Sequence, residues 1–353
     1  MPSQTVEFGL ERRSGTRAYM PGVNPNESEA TAVATIPGGI FDQGGLDPAA
    51  LVAIDALLAQ QGLTEADFQP HDGSFEPVTS PYIFLEGDGD GAIVGGEDDN
   101  FFVANGGDNF LQGGAGDDQI FAGDGDDYME GGTGNDAVVG GEGNDVAFGG
   151  EGNDLGLGGA GSDFVDGGEG DDTVNGNTGE DIVTGGAGDD AVFGGQGNDL
   201  GLGGEGSDTV SGDLGDDTVN GNAGDDSVSG GEGDDVVYGG QGNDIVEGGA
   251  GNDTISGDRG NDSLSGGAGE DMFVINGEGG NDVIVDFATG DVLQIQSGIN
   301  GLEIGAPADL LSLISTDSLG NAVISLGDGN SVTLLNMTEA DLRARIDSVV
   351  QIV

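Results

Sequence analysis

Eighteen aspartates stand nine residues apart without a break: Asp118, Asp127, Asp136, Asp145, Asp154, Asp163, Asp172, Asp181, Asp190, Asp199, Asp208, Asp217, Asp226, Asp235, Asp244, Asp253, Asp262 and Asp271. A glycine lies two residues before each of them, from Gly116 to Gly269. Carboxylate oxygens are hard ligands, and glycine-rich turns expose backbone carbonyls beside them, so the chemistry this pattern supports is the binding of a hard cation. If successive units stack as strands do, at about 4.8 Å per layer, the aspartates form a column. Carboxylates that close must protonate or splay apart unless a cation stands between them. Calcium suits such a site because it takes roughly six to eight oxygens in flexible geometry, whereas magnesium demands a rigid octahedron and keeps its waters.

Other chemistries lack their residues. The chain has no cysteine, which removes disulfides and thiolate metal sites. Zinc would have His71 as its only imidazole, and His71 beside Asp72 reads as a loop residue. There is no HExxH, no nucleophile–histidine pair and no phosphate loop, so no catalytic residue is assigned and an enzyme is not expected.

The chain is 353 residues long, with 77 glycines, 67 acidic residues, six arginines and no lysine, for a formal charge of -61. Such a composition normally reads as disorder. A charge of one sign also opposes compaction until counter-ions bind, which makes nucleic acid and anionic membranes poor partners and a multivalent cation the natural one. No run approaches the roughly 18 apolar residues of a membrane span. The N-terminus, from Met1 to Phe8, lacks the basic-then-apolar layout of a secretory signal peptide.

The element that must position the aspartates is a nonapeptide repeated 18 times over residues 113–274, as in GGAGDDQIF (113–121), GGEGDDTVN (167–175) and GGAGNDTIS (248–256). The second position is glycine except at Asn177, Asp213, Asn222 and Asp258. Each unit reads as a glycine turn followed by three strand residues, polar–apolar–polar, such as Thr173-Val174-Asn175. Three residues cannot hold a strand alone, so the units must stack. Units at 86–94, 95–103 and 104–112 carry Gly91, Asn100 and Asn109 in the sixth position and should extend the coil without the ligand. A longer period overlies the short one: GNDLGLGG recurs at 152–159 and 197–204, and DDTVNGN at 171–177 and 216–222, both 45 residues apart.

These units match GGxGxDxUx and resemble the repeats-in-toxin (RTX) family, over residues 113–274 closely and the flanks more loosely. The resemblance implies an all-β parallel β-roll solenoid in which two units make one coil, calcium ions sit between turns on each edge, and the aspartates from Asp118 to Asp271 are the side-chain ligands, for up to 16 sites. It also implies a chain that is unfolded in calcium-poor cytosol and folds after export. Fifth-position residues vary among Asp, Asn, Ser and Glu and read as solvated turn residues.

The expected organisation is a small α/β N-terminal region over 1–85, the roll over 86–274 (degenerate over 86–112), and a β-rich cap over 275–353. In the first, Asp47-Pro48 opens a helix through about Gln61, with Leu51, Ile54 and Leu58 on one face. In the cap, residues 281–287 read as a degenerate last coil and strands are expected at 291–296, 322–327 and 331–336, the last two around the hairpin signal Gly327-Asp328-Gly329-Asn330. A helix capped by Thr338 should run to about Asp347, with Arg343 and Arg345 complementing its C-terminus. The apolar tail Val349–Val353 is similar to uncleaved signals read by type I exporters of Gram-negative bacteria, pointing to a secreted, extracellular or cell-surface protein.

Even-numbered units share one wall, which carries Tyr128, Val146, Phe148, Phe164, Ile182, Leu200 and Leu202 as an outward apolar stripe. Five of these (Tyr128, Phe148, Phe164, Ile182 and Leu202) are expected in one vertical row, covered by residues 1–94 or by a second copy or partner. The sequence thus favours a calcium-binding secreted structural or interaction protein of a matrix, surface layer or filament. An ice- or carbohydrate-binding roll, or an enzyme with an unrecognised site, are the alternatives; Thr173, Thr209 and Thr218 are too sparse for an ice-binding array.

Overall fold

A computed structural model describes residues 82–84 and 90–353 apart from residue 278. The expected helix over 48–61, His71 and the N-terminal arginines lie outside the described residues. The chain winds into a two-walled parallel solenoid. One wall is a 15-stranded sheet and the other a 13-stranded sheet, and consecutive strands alternate between them through Val292–Ile295. One coil is 18 residues: Phe164 pairs with Val146 on one side and Ile182 on the other.

The strands are six residues long rather than the three expected. Thr173–Thr178 runs through the last three positions of one unit and the first three of the next, burying Val174 and Gly176. The glycines that open each unit read as turn in the sequence, yet the first of them stays extended with no side chain to exclude it from the interior. Inside, the eighth positions of successive units face one another, and Val165, Val174, Val183, Val192, Val210 and Val219 are buried. At about 25 cal/mol per Å², each buried valine contributes roughly 1.5–3 kcal/mol, but only once its neighbours are stacked.

The fourth position turns the chain between walls. Gly188 has φ 141°, and a Cβ there would overlap the carbonyl oxygen of Gly170 one coil below, which is why this position admits nothing else. Where the second position is not glycine, it holds Asn or Asp, the side chains that best tolerate φ > 0: Asn177 and Asn222 sit at 72° and 71°.

The degenerate units do continue the coil. Ala92–Val94 and Phe101–Val103 are strands of the two walls, and Tyr82–Phe84 pairs with Phe101–Val103, so the solenoid reaches at least four residues beyond the expected boundary. Residues 82–84 and 92–94 are therefore part of the coil and do not cover the stripe.

The cap is close to expectation. Asn281–Ile284 and Val292–Ile295 form a last coil, and Ala322–Gly327 and Asn330–Leu334 form a hairpin turned by Asp328 and Gly329, both at positive φ. The helix spans Glu339–Val349, with the Thr338 hydroxyl accepting from the Asp341 N–H at 3.2 Å. Its arginines act differently from expectation. Arg343 pairs with Glu339 at 2.8 Å and donates to the carbonyls of Leu311 and Ile314, clamping the segment between the last coil and the hairpin. The tail Val350–Ile352 is the final strand of the 13-stranded wall, paired with Val292–Ile295.

Candidate metal centre

Every sixth-position aspartate from Asp118 to Asp271 is buried. The columns form on both edges of the solenoid, one for odd and one for even units. One oxygen of each carboxylate has a fixed partner: Asp172 N–H donates to Asp190 Oδ1 at 2.7 Å, and Asp190 N–H to Asp208 Oδ1 at 2.9 Å, each one coil on. The other oxygen has none. From Asp118 to Asp262, Oδ2 is buried without a hydrogen-bond partner in every unit. An ionised oxygen left this way is costly, and native proteins rarely tolerate one.

The surroundings shift these acids accordingly. Burial raises Asp190, the N–H of Asp172 offsets part of this, and the carboxylates of Asp172 and Asp208 raise it again, to about 7. Asp118, Asp145 and Asp244 reach about 7 in the same way, and Asp136, Asp163 and Asp253 about 6. The column therefore keeps part of its protons up to pH 6–7, far above the ordinary carboxylate range, unless another positive charge replaces them.

A hard cation fits the residues present. Beside Gly185, which opens the unit of Asp190, the space a Cβ would fill is bounded by Asp190 Oδ2 and the Gly203 carbonyl oxygen. The same pairing recurs along the roll, for example at Gly230 with Asp235 and Gly248. Among the described residues no three acidic or histidine side chains converge, so the side chains alone form no metal cluster. A cation here must draw most of its oxygens from the backbone, which suits calcium.

The column is longer than the unbroken period. Asp282 and Asp291 are also buried and accept from Asp262 and Asp271 N–H at 3.3 and 3.2 Å, 20 residues away instead of 18. Burial lifts Asp282 to about 8. The signal was present: Gly280-Asn281-Asp282-Val283-Ile284-Val285 repeats the unit's second half, displaced by two residues at Ile275-Asn276. At the other end, Asn109 occupies the aspartate's place, buried and accepting from Gly91 N–H at 2.9 Å.

Fifth-position side chains are exposed, as expected, but they are not idle. Asp117 Oδ1 accepts from Asn135 N–H at 2.8 Å, and Asn135 Oδ1 from Asn153 N–H at 2.8 Å. This outer ladder points from each coil back to the one before, opposite to the inner ladder of the aspartates.

The family of the RTX calcium-binding nonapeptide repeat matches residues 94–129, 103–138, 130–165, 166–200, 202–237 and 238–273. The chain belongs to this family. RTX repeats bind calcium and are typical of type I secreted proteins, and the two-walled solenoid is the RTX β-roll. No curated protein matches the chain. Among solved structures it is similar to the extracellular lipase LipA from Serratia marcescens, at 20% identity over 53% of this chain and 38% of that one, with a TM-score of 0.31. It is also similar to the AlgE6R3 subunit of the mannuronan C5-epimerase from Azotobacter vinelandii, at 23% identity over 47% and 80%, with a TM-score of 0.23. The RTX chain thus spans well under two thirds of the lipase. No catalytic domain is shown, and no helix among the described residues is long and apolar enough to cross a membrane.

The stripe residues share the 13-stranded wall, but in two neighbouring columns rather than one row. Tyr128, Val146, Phe164, Ile182 and Leu200 are successive cross-strand partners at the seventh position. Phe148 and Leu202 stand two residues along, separated by Asp166 and Thr184. Phe110 extends the stripe: its ring stacks on Tyr128 at 5.2 Å, and Tyr128, Phe148 and Phe164 follow at 5.8 and 5.5 Å.

Proposed function

We propose that the aspartates from Asp118 to Asp271 ligate calcium, those from Asp118 to Asp262 through a buried oxygen that has no other partner, so that binding and folding are one equilibrium. The observation that carries this reading is the unbroken series of partnerless Oδ2 atoms from Asp118 to Asp262, a cost repeated in each of those units unless a cation is bound. When bound, calcium supplies the positive charge the column lacks; the chain's own part is to fix each carboxylate through Oδ1 and to present the carbonyls of the opening glycines. The roll then serves as a secreted structural or interaction protein, exported by a type I system that reads its C-terminal region, with the segment before Tyr82, the roll and the C-terminal cap as its three parts. The apolar stripe is its contact face for a second copy or a protein partner. Phe110, Tyr128 and Ile182 are 41%, 37% and 43% exposed and adjoin the half-buried Val146, Phe148, Phe164, Leu200 and Leu202, a contiguous apolar surface of the kind that marks a contact face.

The test is circular dichroism of the full chain. In chelator the spectrum should be that of a largely unfolded chain, and calcium in the millimolar range should restore β signal. A spectrum indifferent to calcium, or restored equally by magnesium, would overturn the reading.

A further inference from the structure

The second position of the unit is glycine in most coils and leaves the wall bare there. Asn177, Asp213, Asn222 and Asp258 interrupt it, all at positive φ. They are not scattered. Asn177 and Asp213 flank Gly195 on the coils below and above it, in register on the 15-stranded wall. Asn222 and Asp258 flank Gly240 in the same way on the 13-stranded wall. Each glycine therefore lies at the floor of a notch between two polar side chains.

The residues around the two notches correspond, with Phe193 and Leu214 at the first where Tyr238 and Arg259 stand at the second. Asn175, Phe193 and Ser211 are cross-strand partners beside the first, and Asn220, Tyr238 and Ser256 beside the second. Gln196 and Gln241 follow the two floor glycines. The notch walls are held in place: Asn175 Oδ1 accepts from Asn177 N–H at 2.7 Å and Asn220 Oδ1 from Asn222 N–H at 2.8 Å. The hydroxyls of Ser211 and Ser256 donate to Asp213 and Asp258 at 2.6 and 2.7 Å. Around Gly240 the notch opens into a cleft of about 510 Å³ lined by Asn220, Asn222, Gln241, Asp258, Arg259 and Asn276, with Tyr238 beside it on the strand of Gly240. Corresponding residues are 45 apart, which is five units. Because five is odd and two units make a coil, the repeat of this motif falls on the opposite wall.

We propose that the two notches are a pair of binding sites for an extended neutral glycan, one on each wall. A sugar ring has an apolar C–H face and a rim of hydroxyls, and each site offers a half-buried aromatic ring with amides and a carboxylate on the adjacent strands, about 4.8 Å away, the serine hydroxyl being spent on orienting that carboxylate. An extended glycan laid along the solenoid axis advances by about one sugar per coil. A polyanion is disfavoured by the charge of -61. A peptide would seek an unpaired strand edge or an apolar groove, and the strands at both notches are paired on both sides.

The substitutions that remove the notches restore the repeat's own glycine, so they relieve positive φ in place of adding strain. The experiment is titration calorimetry of the full chain in saturating calcium with β-1,4-linked hexamers of glucose and of N-acetylglucosamine, and with hexagalacturonate as the anionic comparison. Two sites per chain are expected for a neutral hexamer. Asn222→Gly with Asp258→Gly should leave one, and adding Asn177→Gly with Asp213→Gly should leave none, with the calcium-dependent circular dichroism unchanged. Tyr238→Ala should weaken one site by up to about tenfold. The proposal fails if neither neutral hexamer binds the parent chain, if only the uronate binds, or if the fourfold variant keeps both sites. Because folding is read separately by circular dichroism, failure here leaves the calcium reading standing.

Discussion

At Asp190 the two oxygens of one carboxylate have separate duties, and substitutions can part them. Asp190→Ala removes both: the Asp172 N–H loses its acceptor, at a cost of about 1–3 kcal/mol, and the orphan oxygen goes with it. Asp190→Asn keeps an acceptor for that N–H and removes the charge that burial penalises. We expect the Asn variant to bind calcium more weakly while its metal-free form is no less stable than the parent's, and the Ala variant to lose on both counts; calcium titrations and the β signal gained in chelator on acidification to pH 5 read the two. Equal metal-free stabilities for the two variants would show that Oδ1 contributes nothing. The same acids set the pH response. Their folded values, about 6 for Asp163 and 7 for Asp190, lie above the ordinary 3.8, so the folded metal-free roll retains protons that the unfolded chain has released. Stability without calcium is then greatest below about pH 4 and falls as pH rises through 6–7. Chelated protein should gain β signal on acidification from pH 8 to 5, and each calcium bound at pH 6 should release protons. Constant structure across that range would contradict the burial of these groups. The aspartate column was legible because a strict nine-residue spacing survives in sequence. Asp282 and Asp291 escaped because two extra residues break the phase while leaving the stacking intact.

Strands show where local reading reaches its limit. Glycine in the first three positions reads as turn by propensity, but stacking overrides propensity and the strand crosses the unit boundary, as in Ile182–Ala187. Not all of these glycines carry the same constraint. Gly188 stands over the Gly170 carbonyl oxygen at φ 141°, whereas a Cβ on Gly96 would meet nothing within 4 Å. Gly188→Ala should therefore cost at least about 1–3 kcal/mol and raise the calcium midpoint, and Gly96→Ala should be nearly neutral. Matching midpoints for the two would show that the coils separate freely enough to admit a methyl group. The hairpin and the helix cap were readable because Asp328-Gly329 and Thr338 act through their immediate neighbours. Arg343 was not, since the carbonyls it holds belong to Leu311 and Ile314, about 30 residues away in sequence.

Across the whole molecule, the stripe is a matter of register. Counting residues placed the right side chains on one wall, but only the pairing shows that Phe148 and Leu202 stand in a second column beside Tyr128, Phe164 and Ile182. Burying about 300 Å² of that surface at ~25 cal/mol per Å² contributes several kcal/mol, comparable to the stability of a small domain. The double variant Phe164→Ser and Leu202→Ser should reduce calcium-dependent assembly in sedimentation while leaving calcium-induced folding in place. Unchanged sedimentation would mean the stripe joins nothing.

The inner ladder gives the two ends of the roll unequal standing. Each aspartate N–H from Asp118 to Asp271 gives its hydrogen to a carboxylate one coil nearer the C-terminus, and Asp282 and Asp291 receive the last two. Shortening the chain from its N-terminal side removes inner-ladder donors, and the side-chain acceptors lost with them served the exposed fifth-position N–H groups, which water can satisfy. Shortening it from the C-terminal side strands two buried N–H groups with nowhere to go. The solenoid is a one-way fastener: it can be unpicked coil by coil from the front, but it has to be closed at the back.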